Sequence, residues 1–576
     1  PEQWDSSQWE RDLKKMSDMG IKFTHFAEFS WSMMEPEEGR YNFEWLDRAV
    51  SLAEKYGLKV IMCTPTSTPP VWLSKKHPDI LIRRDNGVQI QHGRRQHASW
   101  SSDCYRRYVE NIVSRLAKHY GNNPTVIGWQ IDNEPGHYGV VDYSENAQAK
   151  FRIWLQKKYG IIDKLNDTWG TSFWSETYQD FDQVRLPSQQ EVPDKPNPHA
   201  MLDLNRFMAD ELAGFVNMQA GILRRHISRD QWITTNLIPV FNPVDPVRID
   251  HTDFLTYTRY LVTGHNQGIG SQGFRMGIPE DLGFSNDQFR NRVGKTFGVM
   301  ELQPGQVNWG VYNPQPLPGA VRMWVYHVFA GGGKFVCNYR FRQPLKGSEQ
   351  YHYGMIMTDG VTLSPGGEEY VRITQEMKKL RAAYDKKNRM PKQLASRRIG
   401  LLFDMNNYWE MEFQRQTDQW WTMPHIHKYY NLLKSFAAPV DVISEKEDFS
   451  GYPFLIAPAY QLLDNNLVER WTEYVKNGGH LILTCRTGQK DRNAKLWEAP
   501  LAAPIHQLAG INSLYYDHLP HSLYGKVDFG DEEYAWNNWA DVLTPDAGTD
   551  VWAVYADQFY KGAASVIHRR LGKGTV

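Results

Sequence analysis

The chain has 576 residues, too many for one core, so two or more domains are expected. Its formal charge of −1 gives no global field for nucleic acid or an anionic membrane. No apolar run reaches the roughly 18 residues of a membrane span, and the four cysteines contain no CxxC, which argues against a disulfide framework or a zinc knuckle. Trp9, Leu13 and Met16 fall at helical spacing within 8–19, and Gly20 suits the stop. Residues 21–29 then read as a strand, 45–56 as an amphipathic helix closed by Gly57, 58–63 as a buried-type strand and 105–120 as a third helix. Further strands are expected at 126–131, 232–237, 254–257, 297–302 and 335–339, with helices such as 202–225 and 320–329 between them. This alternation over about 380 residues fits a (β/α)8 barrel with long insertions. Pro187 to Pro198 is Pro-rich and polar, most simply a surface loop.

Near residue 390 the rhythm resets. Strands are expected at 399–403, 440–443, 454–457 and 480–484, with helices at 420–436 and 467–476. This is a second α/β domain with a doubly wound sheet. Its Gly478-Gly479 is not a GxGxxG, so no nucleotide site is read there. The expected division is 1–388 and 389–576. The chain opens at Pro1 in polar sequence and closes on strand-like LGKGTV, so further residues are expected at both ends.

Chemistry concentrates at two strand ends. In IGWQIDNEPG, 127–136, an apolar run closes on Asp132, Asn133 and Glu134, and Pro135 cannot continue a sheet. An Asp-Asn turn cluster is the competing reading. In VMELQPGQVNWG, 299–310, Glu301 stands in the same way before Pro304 and Gly305. Two carboxyl groups at two strand ends are the layout of a barrel glycosidase, in which one acid protonates the leaving oxygen and the other attacks the anomeric carbon or activates water. Asn133 offers a donor for a sugar hydroxyl beside the acid. Glu28, Asp103 and Glu280 are competing acids on physical grounds. The 21 Trp and 30 Tyr suit either a large core or the apolar faces of pyranose rings. Trp309, Glu349 and His352 lie downstream of the second site.

These residues resemble glycoside hydrolase family 42, the β-galactosidases, and the resemblance runs through most of the chain. It rests on PEQW at 1–4, AEFSWSMMEPEEG at 27–39, TPTSTPPVWL at 64–73, GWQIDNE at 128–134, WGTSFWSETY at 169–178, the segment 299–324 and GSEQYHYG at 347–354. The resemblance implies a retaining exo-β-galactosidase acting on short oligosaccharides, with Glu301 as nucleophile and Glu134 as acid/base. It further implies that Asn133, Trp174, Tyr260, Trp309, Glu349 and His352 hold the galactose, with Tyr260 in the segment that departs most from the family. Residues 389–576 become a flavodoxin-like trimerisation domain, the partners an oligosaccharide and two further copies of the chain, and the location the cytoplasm, with a periplasmic or secreted one left open.

Three departures are visible. His25 stands in HFAEF where the family has Arg, which touches hydroxyl recognition. PGHYG follows the acid, which bears on the leaving-group subsite. The family's zinc-binding Cys cluster is matched upstream by Ser99, and 135–160 contain no Cys, so no metal or other cofactor is expected. An agar- or galactan-oligosaccharide-specific β-galactosidase, or an α-L-arabinopyranosidase, is the alternative within enzymes. A non-catalytic carbohydrate-binding barrel is the alternative outside them.

Overall fold

The computed structural model describes the chain except residues 94, 140, 191–194, 265–269 and 384–388. The centre of the Pro187–Pro198 segment therefore lies outside the described residues. The chain divides into two compact units, one of residues 1–154 and 207–388, the other of 155–206 and 389–576.

The first unit is the parallel barrel expected from the alternation. Its strands are β1 (Phe23–Phe26), β2 (Lys59–Cys63), β3 (Val126–Gln130), β4 (Trp232–Thr234), β5 (Asn236–Leu237), β6 (Leu255–Arg259) and β7 (Phe297–Leu302). They run β1-β2-β3-β4 and β5-β6-β7, all parallel. The run 232–237 is thus one stave that changes partner at Thr235. The expected strand at 335–339 continues the wall: Val299 N donates to Phe335 O at 3.0 Å and Cys337 N to Val299 O at 2.8 Å.

Helices cover the outside. The helix Glu44–Lys55 buries Leu46, Ala49, Val50 and Ala53, the stripe its sequence spacing gives. The helix Asp103–Tyr120 is capped by Ser102, whose side chain accepts from Tyr105 N. Each large apolar side chain so buried contributes about 1.5–3 kcal/mol. Aromatic rings plug the amino end of the barrel: Phe335 packs on Phe23, Trp232 and Phe254 at 5.5–6.1 Å. Gly128 and Gly298 are required there, since a Cβ on the first would lie 2.2 Å from the Trp232 ring and on the second 2.6 Å from that of Phe335.

The second unit holds β8 (Ile399–Leu402), β9 (Val440–Ile443), β10 (Phe454–Ala457) and β11 (His480–Leu483), all as the sequence indicates to within a residue. It also holds an antiparallel sheet that periodicity did not reveal: β12 (Ile511–Asp517), β13 (Gly525–Phe529), β14 (Glu532–Trp536), β15 (Ala540–Pro545), β16 (Asp550–Tyr555) and β17 (Ala564–His568). The short β18 (Arg570–Leu571) and β19 (Gly574–Thr575) follow. The main sheet is ordered β18-β19-β11-β10-β8-β9, and β9, β8, β10, β11 and β19 are parallel. Read in chain order, that is the doubly wound 2-1-3-4-5 arrangement, with the antiparallel sheet inserted before its last strand.

Candidate active site

The carboxyl ends of β3 and β7 carry the two acids. Just past β3 the backbone turns through two left-handed residues, Asp132 (φ 55°) and Glu134 (φ 45°). Such conformations cost about 1–3 kcal/mol and persist only where the surroundings hold them. Gln96 does much of the holding, its Nε2 donating to Asn133 O at 2.7 Å and Glu134 O at 2.6 Å. Asp132 is tied by Thr66 Oγ1 at 2.7 Å and by its own N–H to Thr64 Oγ1 at 2.8 Å. The turn points Glu134 inward rather than serving as an exposed Asp-Asn turn; Glu134 is 4 % exposed and Glu301, on β7, is 6 %.

Two amides join the acids. Asn236 accepts from Glu134 N at 3.0 Å and donates to Glu301 Oε1 at 3.3 Å. With its oxygen turned to accept from Arg95 at 2.5 Å, Asn133 donates to Glu301 Oε1 at 3.1 Å and to Glu28 Oε1 at 2.9 Å, in exchange for the bond its oxygen otherwise accepts from Asn236 Nδ2 at 2.8 Å. Tyr260 donates to Glu301 Oε2 at 2.5 Å. Arg95 pairs with Glu134 Oε2 at 3.0 Å, and His137 Nδ1 lies 3.6 Å from the same oxygen, its ring stacked 6.2 Å from Phe241.

Electrostatics follow from this crowding. Burial pushes the Glu301 carboxyl well above the ordinary 4.5, and the facing charges of Glu134 and Glu28 add to that, against the Tyr260 hydroxyl. Burial likewise raises Glu134, opposed by Arg95, and takes Glu28 to about 8. Buried carboxyls this close cannot all ionise, so the cluster retains protons at neutral pH, the condition under which one carboxyl acts as an acid and another as a base.

The remaining expected residues divide. Tyr260 packs edge-on against Trp309 at 5.0 Å and His352 at 5.8 Å. Glu349 accepts from Tyr339 at 2.7 Å and pairs with Arg340 at 3.3 Å, and Tyr339 in turn packs on His352 at 5.1 Å. Burial lowers His352 to about 4, so it is neutral. His25 is one step back, its Nε2 3.1 Å from Gln130 Oε1 and its Nδ1 3.7 Å from Glu28. Trp174 belongs to the second compact unit, on the turn Phe173–Ser175, and is 69 % exposed. Of the competing acids, Asp103 is exposed at a helix start and paired with Lys150, and Glu280 sits in the first turn of the helix Pro279–Phe289; Glu28 alone of the three is held by Asn133.

Arg95, Asn236 and Gln96 escaped the sequence reading. Arg95 and Gln96 lie in a loop with no periodicity. Asn236 had a signal, a lone amide inside the apolar run WITTNL. At Ser99, the position matched to a zinc-binding Cys, the donors are hydroxyl and carboxylate: Ser99 Oγ bonds Asp142, which also accepts from Ser144 Oγ at 3.0 Å. That set lacks thiolate and does not fit the family's zinc.

Residues 1–380 match the family described as Beta-galactosidase, and 397–576 match the Beta-galactosidase trimerisation domain. β-Galactosidase Bga of Halorubrum lacusprofundi is 34 % identical over 597 residues, spanning all of this chain and 83 % of that protein. A β-galactosidase of Thermus thermophilus is 32 % identical over 531 residues, 91 % of this chain and 80 % of its own length. The structure of the Halorubrum lacusprofundi enzyme superposes with a TM-score of 0.94 at 32 % identity, covering 100 % of this chain and 85 % of that one. That of the psychrophilic Marinomonas ef1 β-galactosidase gives 0.90 at 29 %, covering 100 % and 89 %.

Proposed function

This chain belongs to the glycoside hydrolase family 42 β-galactosidases, and we propose that within it Glu301 is the nucleophile and Glu134 the acid/base of a retaining exo-β-galactosidase. The observation that carries this assignment is the pair of buried carboxyls at the ends of β3 and β7, spanned by the amides of Asn133 and Asn236. In the first step the Glu301 carboxylate bonds to the anomeric carbon while the glycosidic C–O bond breaks and Glu134 gives its proton to the leaving oxygen. In the second, Glu134 takes a proton from water, the water oxygen attacks the anomeric carbon and the ester to Glu301 breaks. Hydrogen bonds from Tyr260, Asn133 and Asn236 favour the ionised form of Glu301. Arg95 opposes protonation of Glu134, so a sugar hydroxyl that engages Arg95 would release Glu134 to hold its proton.

Trp309, Glu349 and His352 are assigned to the galactose ring, with Trp309 offering an apolar face and Glu349 accepting from hydroxyls. His25 is assigned to hydroxyl recognition from behind the site, through its contacts with Glu28 and Gln130. Trp174 is assigned to the same sugar from the family resemblance alone. We read the first unit as the catalytic body and the second as the assembly body of a homotrimer. The four cysteines are all free, which suits a reducing cytoplasm, and among the described residues no helix is long and apolar enough to cross a membrane.

A second reading within the same chemistry has an observation of its own. His137, stacked on Phe241 beside Glu134, offers a flat face for a leaving-group sugar, which favours longer galactan oligosaccharides as substrates. Rates on a panel of galacto-oligosaccharides separate the two.

The test of the roles is Glu134→Ala. It should slow substrates with poor leaving groups about 10²–10⁴-fold and activated aryl galactosides far less, and azide should restore turnover by giving the β-galactosyl azide. Equal loss on every leaving group, without rescue, would mean that another residue is the acid.

A further inference from the structure

The barrel interior holds a donor set beside the two proposed catalytic carboxyls, to which neither of them belongs. His25 lies on β1 and Cys63 on β2, adjacent parallel strands in which His25 is paired with Ile61, and Glu28 follows β1. An imidazole nitrogen of His25, a carboxylate oxygen of Glu28 and the Cys63 sulfur all lie within 4.8 Å of one another. We propose that His25, Glu28 and Cys63 form a site for a thiophilic divalent cation of the zinc class, and that occupation of this site inhibits the enzyme.

The argument begins with orientation. Gln130 takes both of its roles in this cluster: its Oε1 lies 3.1 Å from His25 Nε2, and its Nε2 donates to Glu28 Oε1 at 2.9 Å. A glutamine oxygen only accepts, so Nε2 carries the ring proton and Nδ1 keeps its lone pair. That lone pair faces Glu28 Oε2 at 3.7 Å. This is how a ligating histidine is prepared, with its second nitrogen fixed by an outer partner and its first free to bind.

The donor types then select the ion. A thiolate, an imidazole and a carboxylate suit Zn²⁺ and ions like it over Mg²⁺ or Ca²⁺, which take oxygen donors. With three protein ligands, a fourth position remains for water. The ligands stand on or next to strands, where their separation is fixed better than in a loop. Binding requires both the thiolate and an ionised Glu28, which burial holds at about 8, so the protons of Cys63 and Glu28 leave to solvent as the metal bonds form, and affinity rises with pH. Cys63 is buried, whereas the His25 side chain keeps 24 % of its exposure, which gives the cation a side from which to enter.

Inhibition follows from position. Glu28 Oε1 and Glu301 Oε1 accept from the same Asn133 amide. The transition state of glycoside cleavage is cationic. A dication one amide away from the reacting centre opposes that charge and draws Glu28 from its amide partners.

The binding half of this proposal is independent of the catalytic assignment; only the inhibition half rests on it. The test uses the EDTA-treated full chain, titrated with Zn²⁺ alone by calorimetry and with Co²⁺ by absorption. We expect one tight equivalent of Zn²⁺, a thiolate-to-cobalt charge-transfer band, and loss of galactosidase activity that EDTA reverses. Cys63→Ser should fold and turn over as the parent does, lose the band, and weaken Zn²⁺ binding and inhibition together at least roughly tenfold. His25→Gln, read by binding alone, should weaken Zn²⁺ in the same way. No bound equivalent, or equal binding in the parent and both variants, would overturn the site. Binding at full activity would overturn its inhibitory role.

Discussion

The two units treat buried charge in opposite ways. In the second unit Lys490 is buried against Glu410 and Gln414, and Arg492 binds Glu445 and Asp464 at 3.0 and 2.9 Å. Arg486, fully buried, lies 4.6 and 4.4 Å from the Trp420 and Trp539 rings, which meet edge-on at 5.8 Å, and donates to the carbonyls of Gln414 and Arg415. Charge there is matched by charge or by aligned carbonyl oxygens, and the result is a fixed structure. In the barrel, Glu28, Glu134 and Glu301 crowd together with Arg95 as the cation an ion pair brings to them. Among the described residues negative charge there exceeds the charge paired with it, and burial holds the carboxyls above their ordinary values, so the cluster keeps protons that chemistry can use. The difference teaches that burial of a carboxyl is not itself a sign of function, whereas incomplete pairing of several is.

The comparison breaks most visibly at Glu301. Glu301→Gln keeps the shape and removes the charge, so turnover should fall by about 10⁴-fold or more. Its stability should move the other way. A carboxyl held above its ordinary 4.5 contributes stability that is full below that value and is lost as pH rises through the higher folded value. Glutamine escapes that loss, so at neutral pH the variant should melt no lower than the parent. Thermal melts across pH check this, and a clearly lower melting temperature for Glu301→Gln would contradict the idea of uncompensated charge.

The converse holds at Lys490. Lys490→Met strands Glu410 in the second unit and should cost about 3–5 kcal/mol in denaturant unfolding. Activity per folded chain at low temperature should be retained. A variant that is stable yet inactive would mean that this ion pair serves the reaction.

Arg95→Gln sharpens the comparison most finely. In the proposed mechanism Glu134 is protonated for the first step, and Arg95 holds its proton affinity down. Without the cation the basic limb of the kcat/KM profile should move to higher pH. An unmoved or lowered limb would place the titrating group elsewhere.

How much of this was legible depended on the range of the signal. Helices such as Glu44–Lys55 and strands such as Phe297–Leu302 were readable because their apolar spacing is local. Glu134 and Glu301 were readable because each ends an apolar run before a proline. The antiparallel sheet was missed even though Gly530-Asp531 between β13 and β14 is a hairpin signal, since strands such as EEYAW are exposed and lack an apolar rhythm. Arg95 reaches Glu134 from a loop 39 residues away in sequence, and no pattern within that loop points to its target. The grouping of 155–206 with 389–576 likewise depends on long-range contacts that periodicity does not carry.

The most direct test is to trap the glycosyl-enzyme with a 2-deoxy-2-fluoro-β-galactosyl fluoride. The fluorine at carbon 2 slows both steps by opposing positive charge, while the good leaving group lets the first proceed. Mass spectrometry of digested protein should then find the fluorosugar esterified to Glu301, with fluoride released in equal amount. A label on Glu134 or Glu28 instead, or a native chain that turns over unlabelled, would contradict the assignment of the two strand-end carboxyls.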